Sequence, residues 1–489
     1  MPSPLEQLEP RSIWQHFDAI RQVPRPSKHE GQITDYVRGW AKEHGFGVRS
    51  DASGNLVIEV PPSSGKEAAP IVVLQAHLDM VCEKNAGVEH DFMNDPIQVQ
   101  VDDDWVSAAG TTLGADNGLG AASAMAMAVD PEVTHGPLEL LFTLDEETGL
   151  NGASALDPAI VTGQILVNLD TEEDDSVYIG CAGAAGIEAT FGLERMAAEE
   201  AQGEVLELAI RGLRGGHSGV DIIENRGNAI KVAARLLVAA IDGGVDFDLI
   251  SFQGGSKRNA IARECFAQLA MNGAARQRFE ELIQELSGAL ESELGAIDPE
   301  LMVELRPPAE PSADHPISKT DRDRLLRVIL AVPHGVLTMS REVTGLVETS
   351  NNLAVVTTDS VSANVLCSIR SSVTPALAGT LQALRALFRL AEGRIEEEAG
   401  YPGWKPNPDS PVVRRTVAVY ERLFGETPHI KAVHAGLECG ILTQKIAGLD
   451  AVSIGPEIRN AHSPDEKASI SSTAKFYRLL RELLADLAG

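Results

Sequence analysis

Short, uninterrupted apolar runs recur through the first third of the chain: LVIEV at 56–60, IVVLQA at 71–76, LELLFTL at 138–144 and ILVNL at 165–169. Each is bounded by Gly, Pro or Asp. Runs of this length without polar alternation predict strands buried on both faces, as in an α/β sheet. Between them, apolar positions return at helical spacing. Ile13, Phe17 and Ile20, then Val37, Trp40 and Ala41, predict two amphipathic helices. NGLGAASAMAMAVD at 117–130 predicts a helix of small residues that can lie close against a sheet.

The pattern then changes. Residues 186–399 combine alternating strands, such as VLELAI at 205–210, with long helices at 230–241 and 377–390. They also hold the charged, helix-prone stretch ARQRFEELIQELSGALESEL. The Pro-rich YPGWKPNPDSP at 401–411 reads as a domain crossing. After it the α/β pattern resumes, with a helix near 411–424, strands at 430–434 and 451–454, and a closing helix at 467–488. The expected architecture is α/β. One mixed-sheet domain is formed by 1–185 and 400–489 and is interrupted by an inserted α+β domain at 186–399.

Composition narrows the function. The chain has 489 residues, more than one hydrophobic core usually organises, with 44% hydrophobic and 23% charged positions. Against 71 Asp and Glu stand 41 Lys and Arg, a net charge of -30 that repels phosphate backbones and anionic lipid. Nucleic-acid and membrane partners are therefore not expected. The five cysteines contain no CxxC pair, so neither a disulfide framework nor a thiolate zinc site is expected. The opening MPSPLEQLEPRSIWQHF has no basic stretch followed by an apolar run, and a cytoplasmic location is the expectation.

The candidate chemistry lies at the ends of the apolar runs, where open α/β sheets build their sites. His77 and Asp79 follow the second run and, two apart on extended chain, point to the same side. Asp116 sits in the Gly-flanked turn TTLGADNGLG before a helix. A helix N-cap is the ordinary reading of such an Asp, but Gly114, Gly118 and Gly120 also let the backbone approach a ligand. Glu146 and Glu147 end the third run and, as neighbours on extended chain, can divide labour between binding a metal and moving a proton. Asp170 ends the fourth run, and the acidic residues after it read as surface. His462 stands before Ser-Pro in a loop that follows AVSI.

Together, two imidazoles and three carboxylates suit two zinc-like ions sharing one Asp. Such a pair lowers the pKa of a water toward about 7. Glu146 would take that water's proton and pass it to a leaving amine. The implied reaction is amide hydrolysis.

At these residues the chain resembles the co-catalytic di-zinc peptidases that include glutamate carboxypeptidase, aminoacylase and acetylornithine deacetylase. The stretches that carry the likeness are VVLQAHLDMV, GTTLGADNGLG, DEETGLNGA, YIGCAGAAG, LRGGHSGVDI, HAGLECGIL and GPEIRNAHSPDE. They span nearly the whole chain, and the last three point to the dipeptidase branch. One departure is Cys82, which follows HLDMV where the likeness leads one to expect Pro.

The resemblance implies that Asp116 bridges the two metals. His77 and Asp170 would complete one site, Glu147 and His462 the other. Glu146 would be the general base and Asp79 the partner of His77. The inserted domain would be a lid, from which His217, Asn259 and Arg370 would contact substrate, as would the backbone of Gly436. The metals would be zinc, with cobalt or manganese able to substitute, and the protein a homodimer. The substrates implied are unblocked dipeptides, Xaa-His among them. An N-acyl amino acid deacylase or a carboxypeptidase with the same centre is the alternative.

Overall fold

The four apolar runs form adjacent strands of one sheet. In this computed structural model, which describes residues 3–197 and 203–489, Leu56–Val60, Leu138–Thr143, Val72–His77 and Ile165–Asn168 lie side by side in that order. Asp450–Ser453, Ser176–Cys181 and His429–Val433 extend the sheet on one side, and Gly47–Ser50 closes the other edge. Leu138–Thr143, Val72–His77 and Ile165–Asn168 are mutually parallel, so their C-terminal ends share one edge. Leu56–Val60 runs antiparallel to its neighbour, which makes the sheet mixed. Every residue of Val72–His77 and Leu138–Thr143 is buried, which accounts for their lack of alternation.

The small-residue helix is Ala115–Val129, which packs on the Val72–His77 strand and on the Arg11–Ile20 helix. Close approach is what its glycines allow. A Cβ on Gly120 would come within 2.6 Å of the Leu169 carbonyl oxygen.

The chain divides into two compact units, Met1–Cys181 with Trp404–Gly489, and Ala182–Gly403. The second division falls inside the Pro-rich stretch. The second unit is built on a nine-stranded sheet in which every neighbouring pair is antiparallel. Helices Ala229–Asp242, Gly273–Leu294, Lys319–Ala331 and Thr374–Leu390 share its apolar core. Two of its long strands, Val347–Thr358 and Ser362–Ser371, escaped the hydropathy pattern because they bury Asn351, Asn352, Ser368 and Arg370.

The closing helix differs from expectation at its start. It spans Ile470–Leu487, because Lys467–Ser469 is a strand paired with Trp105–Ala108. Ser469 then caps the helix by accepting the amide of Ser472. This pairing belongs to a small sheet that also includes Ile458–Arg459. It holds the 460–466 loop, with His462 at its turn, beside the chain that leads to Asp116.

Candidate metal centre

Three adjacent parallel strands deliver most of the first unit's polar cluster. His77 is the last residue of its strand, Glu146 and Glu147 follow Leu138–Thr143, and Asp170 follows Ile165–Asn168. Asp116 comes from the turn that opens the small-residue helix, and its side chain is not a cap. The N-cap position is Gly114, held at φ +69°, and the Asp116–Asn117 peptide is cis. His462 is held at φ +64°, a left-handed conformation uncommon for a residue with a Cβ.

The two oxygens of Asp116 face two different histidines. Oδ1 lies 3.1 Å from Nε2 of His77, and Oδ2 lies 3.1 Å from Nε2 of His462. Asp170 Oδ1 is 3.4 Å from the same His77 nitrogen, and Glu147 Oε2 is 3.0 Å from that of His462. Ligand-type atoms of His77, Asp116 and Asp170 thus gather in one group, and those of Asp116, Glu147 and His462 in a second. Asp116 belongs to both. Glu146 Oε2 stands 4.0 Å from His77 Nε2.

Asp79 is wholly buried beneath this cluster and ties its parts together. Oδ1 lies 3.4 Å from Nδ1 of His77 and accepts the Glu146 amide at 3.0 Å, while Oδ2 accepts the Glu147 amide at 3.2 Å and the Ser27 hydroxyl at 2.8 Å. One carboxylate therefore orients an imidazole and sets the chain direction of both glutamates. Asn117 donates to the Leu169 carbonyl at 3.1 Å and to Asp170, which fixes that carboxylate.

The electrostatics are those of a site short of positive charge. Burial works against the His77 proton, yet Asp170, Asp116 and Asp79 hold the imidazole well above its usual range. Hydrogen bonds to Asp116 and Glu147 push His462 up to about 11. Burial raises Asp116, but the two imidazoles outweigh it and hold the carboxyl below the usual range. Burial, with Asp116 and Glu147 opposing the pull of His77, pushes Asp170 up to about 6. Glu146 is driven well above the carboxylate range by burial, then by Asp170, Glu438 and Glu147 against His77.

The donors test well against divalent ions. The raised pKa values of both histidines reflect the surplus of carboxylates around them, a surplus that divalent cations would balance when the imidazoles become ligands. Glu147 Oε1 is buried with no hydrogen-bond partner. Two nitrogens and three carboxylates form a donor set suited to zinc-like ions.

Several residues of this unit went unmarked in the sequence. Glu438 opens the Glu438–Lys445 helix wholly buried, and its carboxylate accepts from Gln75 and from the Thr143 hydroxyl at 2.7 Å. Burial pushes it up to about 7. Glu172, read as surface, is only partly exposed, and burial with Asp116 and Asp170 nearby pushes it up to about 8. Glu466 and the buried guanidinium of Arg25 both bind the turn before Asp116. The quoted stretches HAGLECGIL and HSPDE contain two of these four, but hydropathy cannot reveal a buried carboxylate.

Gly436 lies in the first unit, two residues before Glu438. His217, Asn259 and Arg370 belong to the second unit. There the Gly216–His217 strand pairs with Ala260–Ile261, and the Ser218 amide donates to the Asn259 carbonyl at 2.8 Å. Burial lowers the His217 pKa, and nearby Arg370 lowers it further. These three residues thus occupy one region of that unit.

The profile of Peptidase family M20/M25/M40 matches residues 73–486. The chain is 42% identical over 485 residues to the cytosol non-specific dipeptidase of Escherichia coli (strain K12), covering 99% of each. It is similar to the crystal structure of aminoacylhistidine dipeptidase from Vibrio alginolyticus, with TM-score 0.92 and 41% identity over 99% of this chain and 98% of that one. Aminopeptidase PepT from Bacillus cereus ATCC 10987 shares the fold, with TM-score 0.57 and 16% identity over 99% of this chain and 100% of that one.

Proposed function

The chain belongs to peptidase family M20/M25/M40 and is a peptide-bond hydrolase; from this premise we propose that it is a two-metal dipeptidase of unblocked dipeptides, Xaa-His included. The observation that carries the reading is Asp116, whose two oxygens each lie 3.1 Å from a different histidine. His77, Asp116 and Asp170 would hold one ion, and Asp116, Glu147 and His462 the other. The ions, zinc in this reading with cobalt or manganese as substitutes, supply Lewis acidity that polarises the scissile carbonyl and eases deprotonation of water.

The chain's own residues divide the remaining work. The Asp79 carboxylate stands 3.4 Å from Nδ1 of His77, on the side of the ring away from the cluster that Nε2 faces. Its contacts with the two glutamate amides hold Glu147 toward His462 and leave Glu146 free of that task. Glu146 takes a proton from the attacking water and returns it to the leaving amine. Burial raises the Glu146 pKa, which makes its ionised carboxylate the stronger proton acceptor. Arg370 has the planar fork that binds a carboxylate, and it would take the C-terminal carboxylate of the dipeptide. His217 would stabilise the oxyanion, with Asn259 and the Gly436 backbone as further substrate contacts.

In this reading 1–185 and 400–489 form the catalytic domain and 186–399 the lid. The protein works in the cytoplasm as a homodimer. The name of the Escherichia coli relative supports the location, and the family resemblance supports the dimer, which sedimentation tests.

A substrate panel tests the activity. Re-metallated protein is given Xaa-His dipeptides, β-Ala-His, N-acetylated amino acids and a tripeptide. Cleavage confined to free dipeptides is the expected result. Cleavage of the acetylated compounds instead would assign the chain to the deacylases.

A further inference from the structure

We propose that Glu466 is a positioning residue for the metal centre, fixing the shared ligand Asp116 and coupling it to His462. The inference rests on the two-metal reading above. Glu466 is 2% exposed, and its carboxylate accepts four consecutive main-chain amides. Oε2 takes Leu113 at 2.8 Å and Gly114 at 3.0 Å, and Oε1 takes Ala115 at 2.8 Å and Asp116 itself at 3.3 Å. An acceptor with two oxygens and no hydrogen suits four converging N–H groups, and a charged acceptor makes the stronger bonds.

The other side of the turn is held as well. Arg25 donates to the Gly114 carbonyl, and also to the carbonyls of Leu78 at 3.0 Å and Asp79 at 2.7 Å, next to His77. The Asp116 turn is therefore clamped between an anion on its amides and a cation on its carbonyl. Glu466 lies four residues after His462, at the point where that loop rejoins the strand Lys467–Ser469. The pairing of Lys467 with Ser107 sets this loop beside the chain that leads into the turn. One side chain thus ties together the segments bearing Asp116 and His462, which lie 346 residues apart in sequence. In the two-metal reading, Glu466 is what keeps Asp116 Oδ2 in register with Nε2 of His462.

Metal affinity of chelator-stripped protein, measured by calorimetric titration with zinc, tests the proposal. Glu466→Gln turns an amide N–H₂ toward main-chain donors and should weaken zinc binding about 10- to 100-fold, as loss of a ligand's supporting partner does. Glu466→Asp keeps the charge but shortens the reach, and should fall between that variant and wild type. It also serves if the Gln variant does not fold. Glu139→Gln is the control. Glu139 is 3% exposed and accepts the amides of Thr162 and Gly163, at the end of its strand remote from Glu146. This control should lower the unfolding temperature of metal-free protein yet leave zinc affinity within about twofold, since it touches no ligand.

Wild-type affinity in Glu466→Gln or Glu466→Asp would overturn the proposal alone. So would an equal loss of affinity in the Glu139 control, which would mark the effect as general destabilisation. Wild-type protein that takes up no zinc would overturn the two-metal reading and this proposal with it.

Discussion

Glu146 and Glu147 are sequence neighbours to which the two-metal reading gives separate tasks, and one carboxylate lies beneath them both. Asp79 accepts both of their amides, which holds Glu147 Oε2 against His462 and leaves Glu146 in a buried, carboxylate-rich position that favours its proton. Replacing Glu146 by Gln should therefore keep the metal content while cutting turnover at least about 100-fold, the minimum usually lost with a general base. Metal analysis beside steady-state kinetics checks this, and an active variant would remove Glu146 from the proton path. Arg370 makes a separate prediction. Its side chain is 8% exposed and its Nε is buried with no hydrogen-bond partner. Arg370→Ala should raise KM for dipeptides about 10-fold or more with a smaller change in kcat, as expected for a lost charge-assisted hydrogen bond. An unchanged KM would take it out of the carboxylate pocket.

The strand ends that carry the candidate ligands are backed by a chain of buried side-chain hydrogen bonds. Gln75 and Asn168 are buried on neighbouring strands and bond to each other. Gln75 reaches on to Glu438, and Asn168 accepts from Ser453, which meets the Thr171 hydroxyl. This polar chain lies within the sheet just before His77 and Asp170. Gln75→Leu would leave the Asn168 amide without its acceptor, at about 1–3 kcal/mol, while Glu438 would keep the Thr143 hydroxyl. Urea unfolding of metal-free protein measures the loss. The turn before Asp116 is equally constrained. A Cβ on Gly114 would lie 2.5 Å from the Arg25 Nη2 atom and 2.8 Å from Met80 Sδ, at a backbone φ of +69°. Gly114→Ala should cost at least about 1–2 kcal/mol from its backbone alone.

The sequence made these strands legible because parallel strands covered on both faces read as plain apolar runs, and the candidate ligands follow at their ends. Asp116 was ambiguous, since a Gly-flanked Asp before a helix also describes a cap; the cap position falls on Gly114, and the ligand reading rests on the two histidines that face Asp116. Glu438 and Glu466 stayed hidden because their burial depends on partners far away in the chain. The second unit's strands were harder for a related reason: Asn351 and Asn352 break the apolar pattern but find partners inside, Asn351 donating to the Pro333 carbonyl and Asn352 to that of Ala260.

At the scale of the molecule, the two units carry different sensitivities. The first concentrates carboxylates that need cations. The second holds His334, whose pKa burial, and then Lys231, lower from 6.5 to about 4. Its Nδ1 accepts the Leu353 amide at 3.3 Å, a bond that the protonated ring cannot make. Unfolded chain binds this proton at higher pH than folded chain does. The contribution of His334 is thus fully present above about 6.5 and is lost as the pH falls toward about 4. His334→Gln should flatten the fall of Tm across that window, and an unchanged pH profile would exclude the residue as the source. The net charge of -30 sets the partners the whole molecule admits: polyanions are repelled, while small zwitterions are not. In the two-metal reading, peptide-bond hydrolysis needs two ions that share Asp116. The most direct test of this requirement is the turnover of an Xaa-His dipeptide by chelator-stripped protein as zinc is added back in known equivalents. The stripped protein should show no turnover, and added zinc should raise it to a level that is reached at two equivalents. Full turnover without metal, or a plateau at one equivalent, would contradict that reading.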